Sequence, residues 1–419
     1  MERHPSSDLT GQPLPRWQSL LWGVPLHLLA GLLAALLLAT PIAADLEQTV
    51  GLHWLFHLRG ARPAPDTVAV VAIDRESAQR LGLPIKPGEW PRAIHARLVD
   101  ALASAGVRTI VFDLTFATPA KQPSDDAQLA AAIKGAGNVV LVDSLRRESA
   151  QAGTAGPGEA GAMPSDHPVP PTAEIAQAAM AHVPFPLPKT GRVDAFWTFM
   201  ATSGELPTLP AVAFQAYSRA ELGILLGRSG EAPDRAGSDV DSAAPRLAHD
   251  ESLVGTMLRL RTLLADRPES ALRGLFAPSS NGDPAQSETL RTLVGLYAGD
   301  DARYLDFYGP PRTITTLAYA DLLDTAGAAS LAGKAVFVGF SGASAPEQDR
   351  VRDHYTTVFS RDDGVDLSGV EIAATAFANL LERREVHPLP LWQQSASNRG
   401  RTTISWICRP LASISTVPN

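Results

Sequence analysis

The sequence predicts an α/β domain with a mostly parallel sheet, flanking helices and flexible insertions, preceded by one transmembrane helix. Two apolar, β-branched runs at residues 68–73 and 109–112 each end at a carboxylate, Asp74 and Asp113. Such runs are typical of strands that are covered on both faces. Between them, residues 91–105 carry apolar side chains at helical spacing,. A strand, a helix and a second strand in this order predict a βαβ unit with parallel strands.

Composition and charge narrow the class of protein. The chain has 419 residues, of which 45% are hydrophobic, so it is long enough to bury a substantial core,. A net charge of -8 without a dense Lys/Arg tract argues against a nucleic-acid partner,. The single Cys408 excludes an internal disulfide and a cysteine-based zinc site,. We expect no cofactor.

A long apolar segment near the N-terminus predicts a membrane anchor. Residues 19–44 contain no Asp, Glu, Lys or Arg, and a bilayer core needs about 20 residues to cross. A cleaved signal peptide is the alternative, but its apolar region is usually about 7 to 15 residues long. We therefore expect an N-terminal tail at residues 1–18 and a single span at 19–44, with the lipid membrane as a partner. The flanking charges are nearly balanced and leave the orientation open.

The segment after the predicted span reads as an amphipathic continuation at residues 46–58. Trp54 and Phe56 are placed to lie near a membrane interface,. His53 and His57 are four residues apart and could share a metal on one helical face, but no third ligand is near them in sequence,. Interfacial histidines are the favoured interpretation, and no metal site is predicted.

The remaining chain is predicted to form one domain, residues 45–390, with insertions. Residues 148–172 hold four glycines and five prolines without apolar periodicity, which predicts a flexible insertion,. Residues 227–238 and 277–284 have similar composition and predict surface excursions. The other patterns predict helices at residues 124–136, 206–226, 317–323 and 370–381, and strands at 138–142, 252–264, 304–308 and 334–338,.

Charged and polar residues at the predicted strand ends form a candidate ligand site. In open parallel sheets, ligands usually bind beyond the carboxyl ends of the strands. Asp74, Asp113 and the loop after Gly339 lie at such ends, and Asp349 follows. The alternative is structural: the two strand-end carboxylates cap helices or loops, and Arg92 or Arg97 pairs with them. The candidate ligand-binding residues are Asp74, Arg92, Asp113, Ser341 and Asp349.

One motif suggests a serine hydrolase as an alternative function. Residues 339–343 read Gly-Phe-Ser-Gly-Ala and resemble the nucleophile elbow, in which a strained turn projects a serine,. The last glycine of that motif is missing, and Pro346 with a polar stretch stands where a helix should begin. No phosphate-binding loop, dinucleotide fingerprint, kinase or metalloprotease signature is present,. We predict no catalytic residues, with a hydrolase using Ser341 as the alternative.

Several segments together resemble the CHASE type-two domain, the second class of cyclase- and histidine-kinase-associated extracellular sensory domains. In order along the chain they are residues 70–74 (VVAID), 90–92 (WPR), 106–113 (GVRTIVFD), 125–133 (DDAQLAAAI), 308–311 (YGPP), 319–323 (YADLL), 334–339 (KAVFVG) and 369–372 (GVEI). The resemblance implies a sensor in the bacterial plasma (inner) membrane, anchored by one helix, with its main domain periplasmic or extracellular. It also implies signal transduction through an adenylate or guanylate cyclase or a protein kinase.

The sequence departs from this family in two places. Ala373-Ala-Thr375 stands where the family usually has His-Ala-Asn. Residues 391–419 carry no second apolar span,, so we expect a truncated or frameshifted tail and an output domain missing from this chain. The expected partners are an unknown small-molecule or envelope ligand and, through a dimer, a second copy of the chain. A cell-envelope scaffold without a small ligand is a further alternative.

Overall fold

The structure is a computed structural model that describes residues 50–148, 165–187, 191–200, 205–229, 252–265, 267–277, 283–323, 325–360, 364–384 and 386. The chain divides into two compact units, residues 1–58 with 387–419 and residues 59–386. The second unit holds the sheet and the candidate site. The predicted span at residues 19–44 lies outside the described residues. No helix within the described ranges is long and apolar enough to cross a membrane.

Thirteen strands and thirteen α-helices are present in the described residues. The strands are β1 Val68–Ile73, β2 Thr109–Asp113, β3 Val139–Glu148, β4 Ser165–Val169, β5 Ala181–Pro184, β6 Ala195–Trp197, β7 Phe199–Met200, β8 Leu206–Pro207, β9 Ala302–Tyr304, β10 Thr316–Ala318, β11 Ala335–Phe340, β12 His354–Tyr355 and β13 Leu367–Ser368. The helices are α1 Leu52–Arg59, α2 Arg75–Leu81, α3 Arg92–Ser104, α4 Pro123–Ala136, α5 Ala173–Ala178, α6 Leu209–Tyr217, α7 Arg219–Ser229, α8 Leu253–Ala265, α9 Glu269–Leu275, α10 Pro284–Ala298, α11 Thr325–Ala328, α12 Ala345–Gln348 and α13 Gly369–Leu381.

The central sheet has seven strands in the order β10-β1-β11-β2-β3-β4, with β5 also paired to β3. Every pairing is parallel except that between β3 and β4. The predicted mostly parallel α/β fold is therefore confirmed. The two strands of the predicted βαβ unit are parallel but not adjacent, because β11 lies between β1 and β2. A strand from late in the chain thus completes the centre of the sheet.

Helices cover both faces of the sheet, which explains the uninterrupted apolar strands. Every residue of β1 and β11 is buried. On one face, Val71 and Phe112 belong to a hydrophobic cluster that includes side chains of α3 and α4. On the other face α13 contacts β1 and β11, and Phe377 of α13 lies 5.4 Å from Phe337 between ring centroids. Alternate side chains of each strand therefore enter two different cores.

Two predicted strands are wrong because the surrounding chain gives their residues other roles. Residues 252–264 form a helix, α8, whose buried Leu253, Met257, Leu260 and Leu264 follow helical spacing,. Of residues 304–308, only Tyr304 belongs to a strand, β9. Residues 305–308 are buried but do not form a strand. The backbone N–H of Leu305 donates to Asp194 O at 2.8 Å.

Other boundaries also need correction. The predicted helix at residues 317–323 is instead β10 followed by a 3-10 helix, Tyr319–Leu322. The predicted helix at 206–226 is β8 followed by two helices, α6 and α7. The predicted flexible insertion contains β4 at its end, because residues 165–169 pair with β3, and its residues 149–164 lie outside the described ranges. Of the two predicted excursions, residue 229 still belongs to α7 and Pro284 begins α10.

The first described helix, α1, agrees with only part of its prediction. Trp54 is 57% exposed, whereas Phe56 is 1% exposed and cannot lie on a surface. The rings of His53 and His57 stack with centroids 5.6 Å apart. Among the described residues no group of three or more His, Cys, Asp or Glu side chains is arranged to hold a metal ion.

Candidate ligand site at the strand ends

The register of the sheet brings three predicted site residues to one edge. Ile73 of β1 pairs with Phe340 of β11, and Gly339 of β11 pairs with Asp113 of β2. Asp74 and Ser341 each follow directly after these positions. The carboxyl ends of the three central strands therefore lie together at one edge of the sheet, beside α13. Open parallel sheets bind ligands at this edge, and we call this region the strand-end crevice.

Asp74 has a structural role in this crevice. Its side chain caps α2 by accepting a hydrogen bond from Ser77 N–H at 3.0 Å. Its other carboxylate oxygen accepts from Arg312 Nη2 at 2.9 Å, and the same nitrogen donates to Ser341 O at 3.0 Å. Asp74 is only 5% exposed. The hydrogen bonds from Ser77 N–H and from the Arg312 guanidinium compensate the cost of burying its charge. The capping alternative is the correct description of this residue.

Arg312 is a charged residue at the strand ends that the sequence interpretation missed. Besides pairing with Asp74, it donates its backbone N–H to Glu371 Oε1 at 2.5 Å. Glu371 also forms a capping box with Ser368 at the start of α13,. Arg312 has a positive φ of 66°, which non-glycine residues seldom adopt. Its loop thus joins two strand ends to α13; the sequence offered only the rigid Gly-Pro-Pro turn before it as a signal.

Asp113 lies in a different environment, beside a second carboxylate. A Cβ atom built on Gly369 would lie 2.6 Å from Asp353 Oδ1 and 3.0 Å from Asp113 Oδ2, so the two carboxylates converge at the first residue of α13. Burial, and then the charge of Asp353, raise the pKa of Asp113 well above its usual range,. Burial followed by these same two carboxylates also raises the pKa of Tyr355.

Two glycines allow this close approach. A Cβ atom on Gly339 would lie 2.7 Å from Val370 Cβ and 3.3 Å from Asp113 Cβ, so a side chain there would separate α13 from the strand end. A side chain on Gly369 would displace the carboxylates. Both glycines belong to the segments by which the sequence resembles a known family, and their spatial meaning appears only in the folded chain.

Arg92 lies in an ion pair of its own. Its Nε donates to Asp126 Oδ1 at 2.6 Å, another nitrogen donates to Thr118 O, and its guanidinium lies 4.8 Å from the ring centroid of Phe116. The predicted structural ion pair therefore exists, but the partner is Asp126 rather than Asp74 or Asp113. Arg92 is consequently not part of the strand-end crevice.

Ser341 and Asp349 do not assemble catalytic machinery. Ser341 is 0% exposed, and its Oγ has no hydrogen-bond partner. His354 Nδ1 also has none, so no serine–histidine hydrogen bond forms, and a nucleophile needs such a base within reach. Asp349 is exposed at the end of the four-residue α12, with its N–H donating to Ala345 O at 3.0 Å. The geometry therefore gives no support to a hydrolase using Ser341.

A small pocket lies next to the crevice, along the first turns of α13. Its lining includes Pro310, Leu367, Glu371 and Thr375. Thr375, one of the residues that depart from the family pattern, donates its hydroxyl to Glu371 O at 2.8 Å. The departure is thus accommodated within the helix.

The fold is an α/β domain whose charged groups gather at the carboxyl ends of its central strands. Comparison with protein families identifies the particular class. A model of the CHASE2 domain matches residues 29–409, most of the chain, and the chain belongs to this family. CHASE2 domains are extracellular sensory domains of signalling receptors and are not catalytic. No curated protein and no solved structure matches the chain.

Proposed function

We propose that this chain is the sensory module of a single-pass receptor whose α/β domain lies on the outer face of the plasma membrane. The proposal is supported by membership of a family of extracellular sensory domains and by the uncharged residues 19–44, which are long enough to span a bilayer core,. In this arrangement residues 1–18 lie in the cytoplasm. The signal is passed to an adenylate or guanylate cyclase or to a protein kinase.

The observation that carries the sensory proposal is the meeting of Asp113 and Asp353 at the first residue of α13. Two carboxylates in a desolvated place repel each other, and the raised pKa of Asp113 reflects this cost,. A small ligand that places a cationic or hydrogen-bond-donating group between them would relieve the repulsion. We therefore infer that Asp113 is the centre of the ligand site and that Asp74 supports the same edge of the sheet from β1, on the other side of β11.

Ligand binding would act on a dimer through α13. A ligand shifts an equilibrium only if it binds the two conformations unequally. The site adjoins the N-terminus of α13, so closure of the crevice around a ligand favours one position of this helix over another. We propose that two copies of the chain convert that difference into a change at the membrane helices.

A thermal-shift screen on the full chain tests the site with small organic amines and other polar metabolites as probes. We expect a stabilising compound to lose its effect in Asp113→Asn and Asp353→Asn. Asp349→Asn is the matched control, because Asp349 is an exposed carboxylate on the loop after β11, and the effect should be retained. Equal stabilisation of the wild type and of Asp113→Asn would remove Asp113 from the site.

Protease accessibility tests the topology independently of any ligand. Protease added to intact spheroplasts should digest the α/β domain while a cytosolic marker protein stays intact. Alkaline carbonate extraction should leave the full chain in the membrane fraction and release a variant that lacks residues 1–48. A domain that is digested only after cell lysis would overturn the proposed orientation.

A further inference from the structure

A second charged cluster lies at the opposite end of α13 from the acid pair. It consists of Arg59 and Arg62 before β1, Asp306 and Tyr308 after β9, and Asn379 and Glu382 at the end of α13; we name these six residues the terminal clasp. The clasp lies within the unit formed by residues 59–386. It joins the segment that precedes β1 to the C-terminal end of α13.

Arg62 makes the direct connection between the two segments. Its Nη2 donates to Asp306 Oδ2 at 2.9 Å, and its Nη1 reaches Glu382 Oε2 at 3.4 Å. The guanidinium lies over the Tyr308 ring, 3.9 Å from its centroid. Tyr308 donates its hydroxyl to the same Glu382 oxygen at 2.8 Å. Arg62 and Tyr308 therefore hold one carboxylate of the α13 terminus from two directions.

Asp306 connects the same segments through a second route. Arg59 donates to the Asp306 carboxylate and to Phe307 O. On the other side, Asp306 N–H donates to Asn379 Oδ1 at 2.8 Å, and Asn379 Nδ2 donates to Asp306 O at 3.1 Å. Asn379 is 2% exposed and Asp306 is 7% exposed. The side-chain amide of Asn379 is thus hydrogen-bonded through both its oxygen and its nitrogen to the backbone of Asp306, whose carboxylate accepts from Arg59.

The burial of this cluster indicates a role in fixing geometry rather than in adding stability. The side chains of Arg62 and Asp306 are only 16% and 10% exposed. Buried ion pairs gain little net stability because desolvation offsets their attraction, but they favour one arrangement of their partners. An apolar contact would tolerate sliding between the two segments, whereas directed hydrogen bonds to Asn379 and Glu382 do not.

We propose that the terminal clasp makes the segment before β1 and the end of α13 a single mechanical unit, which passes displacement of α13 to the chain that precedes the domain. This inference rests on the proposed function only for the direction of signalling. The mechanical coupling itself is a property of the folded domain. It places the input at one end of α13, beside Asp113, and the output at the other.

Hydrogen–deuterium exchange of the full chain tests the coupling through its effect across the two segments. Glu382→Gln should raise the amide exchange rate in peptides covering residues 59–64. Arg62→Gln should raise it in peptides covering 378–384. We expect an increase of about three- to tenfold in each case, which corresponds to the loss of one or two hydrogen bonds. Exchange in β1 and β11 should not change. Arg80→Gln, which removes the exposed Arg80–Asp321 pair, is the matched control and should leave both segments unchanged.

Two further measurements keep the inference falsifiable. If Glu382→Gln does not fold, Tyr308→Phe keeps the ring under Arg62, removes the hydroxyl that bonds Glu382 and Asn379, and should give a smaller rise in the same peptides. In the wild type, the Arg62 amide, which donates to Tyr308 O at 2.7 Å, should exchange as slowly as amides of α13. Substitutions that raise exchange only in their own peptide, or a rapidly exchanging Arg62 amide, would overturn the coupling. Neither result bears on the ligand site or the topology, which the experiments above test separately.

Discussion

Asp74 and Asp113 close two strands of the same sheet, and their sequence contexts are nearly the same, but their environments differ. Asp74 caps a helix and faces Arg312. Asp113 faces Asp353 at the start of α13, and its pKa is raised. Position at a strand end therefore does not decide whether the charge of a carboxylate is compensated by a cation or opposed by a second carboxylate. The charge of the group that folds against it decides.

The difference has a functional consequence. A carboxylate with a cation and a backbone N–H donor is satisfied, and removing it leaves its partners unpaired. A carboxylate beside another carboxylate is disfavoured when ionised. A substitution that removes its charge therefore lowers the repulsion and stabilises the fold. A proton or a ligand that neutralises the charge has the same effect. The two residues should therefore respond to substitution with opposite signs.

The largest expected effect is the loss of stability in Asp74→Ala. The substitution removes the α2 cap, worth about 1 kcal/mol, and the hydrogen bond from Arg312, worth about 1 kcal/mol more. We expect the free energy of unfolding of the full chain to fall by about 2 kcal/mol in a urea titration. Asp66→Ala, at an exposed carboxylate just before the same strand, is the control. A loss no larger than that of the control would contradict the structural role given to Asp74.

Asp113→Asn should have the opposite sign and should depend on pH. Because the pKa of Asp113 is raised above 3.8 in the folded protein, the stability linked to its protonation is present below pH 3.8 and is lost as pH rises through the folded pKa. The variant should therefore be more stable than the wild type at neutral pH by roughly 1 kcal/mol, a usual size for a single substitution, with the difference vanishing in acid. Urea titrations at several pH values measure it; a destabilised variant at neutral pH would contradict this account.

Ser341→Ala tests the end of β11, the strand that lies between those of Asp74 and Asp113. The Ser341 hydroxyl is buried without a hydrogen-bond partner, and such a group costs free energy. We expect the variant to gain about 0.5 kcal/mol by the same titration. A fluorophosphonate probe should not label Ser341 in the folded chain. Labelling that disappears in the variant would instead revive the hydrolase alternative.

The smallest effect is expected for Asp349→Ala. This carboxylate is exposed, and surface substitutions away from special features usually change stability by less than about 0.5 kcal/mol. The same variant should keep any ligand response that Asp113→Asn loses. A large change in stability or in ligand response would show that the loop after β11 contributes more to the site than its exposure indicates.

The sequence predicted the elements whose period is strong, and it failed where a segment's neighbours determine its structure. The strands around Val71 and Phe112 and the helix α3 were found within a residue or two. Residues 252–264 were assigned to a strand, although their buried leucines follow helical spacing. Residues 305–308 are as buried as a strand, but the N–H groups of Leu305 and Asp306 donate to Asp194 O and Asn379 Oδ1 instead of to a sheet.

The candidate site was predicted in the same uneven way. Three of its five residues do meet at one edge, because parallel strands place their carboxyl ends together. Arg92 was considered as a partner of the strand-end carboxylates, and it pairs with Asp126 instead. Arg312 could not be found, since no pattern links it to the strand ends. The glycines at 339 and 369 belong to the quoted segments, but only the close contacts around them explain their presence.

Apolar periodicity acts over a few neighbouring residues, so the buried parallel sheet, its covering helices and the carboxylates that end its central strands were all evident before the fold was known. Only the tertiary structure decided that Asp74 meets Arg312, 238 residues away in the chain, and that Asp113 meets Asp353. The state of a carboxylate depends on the charges and the solvent within a few ångströms of it. Those neighbours come from distant parts of the chain, so they exist only once the chain has folded.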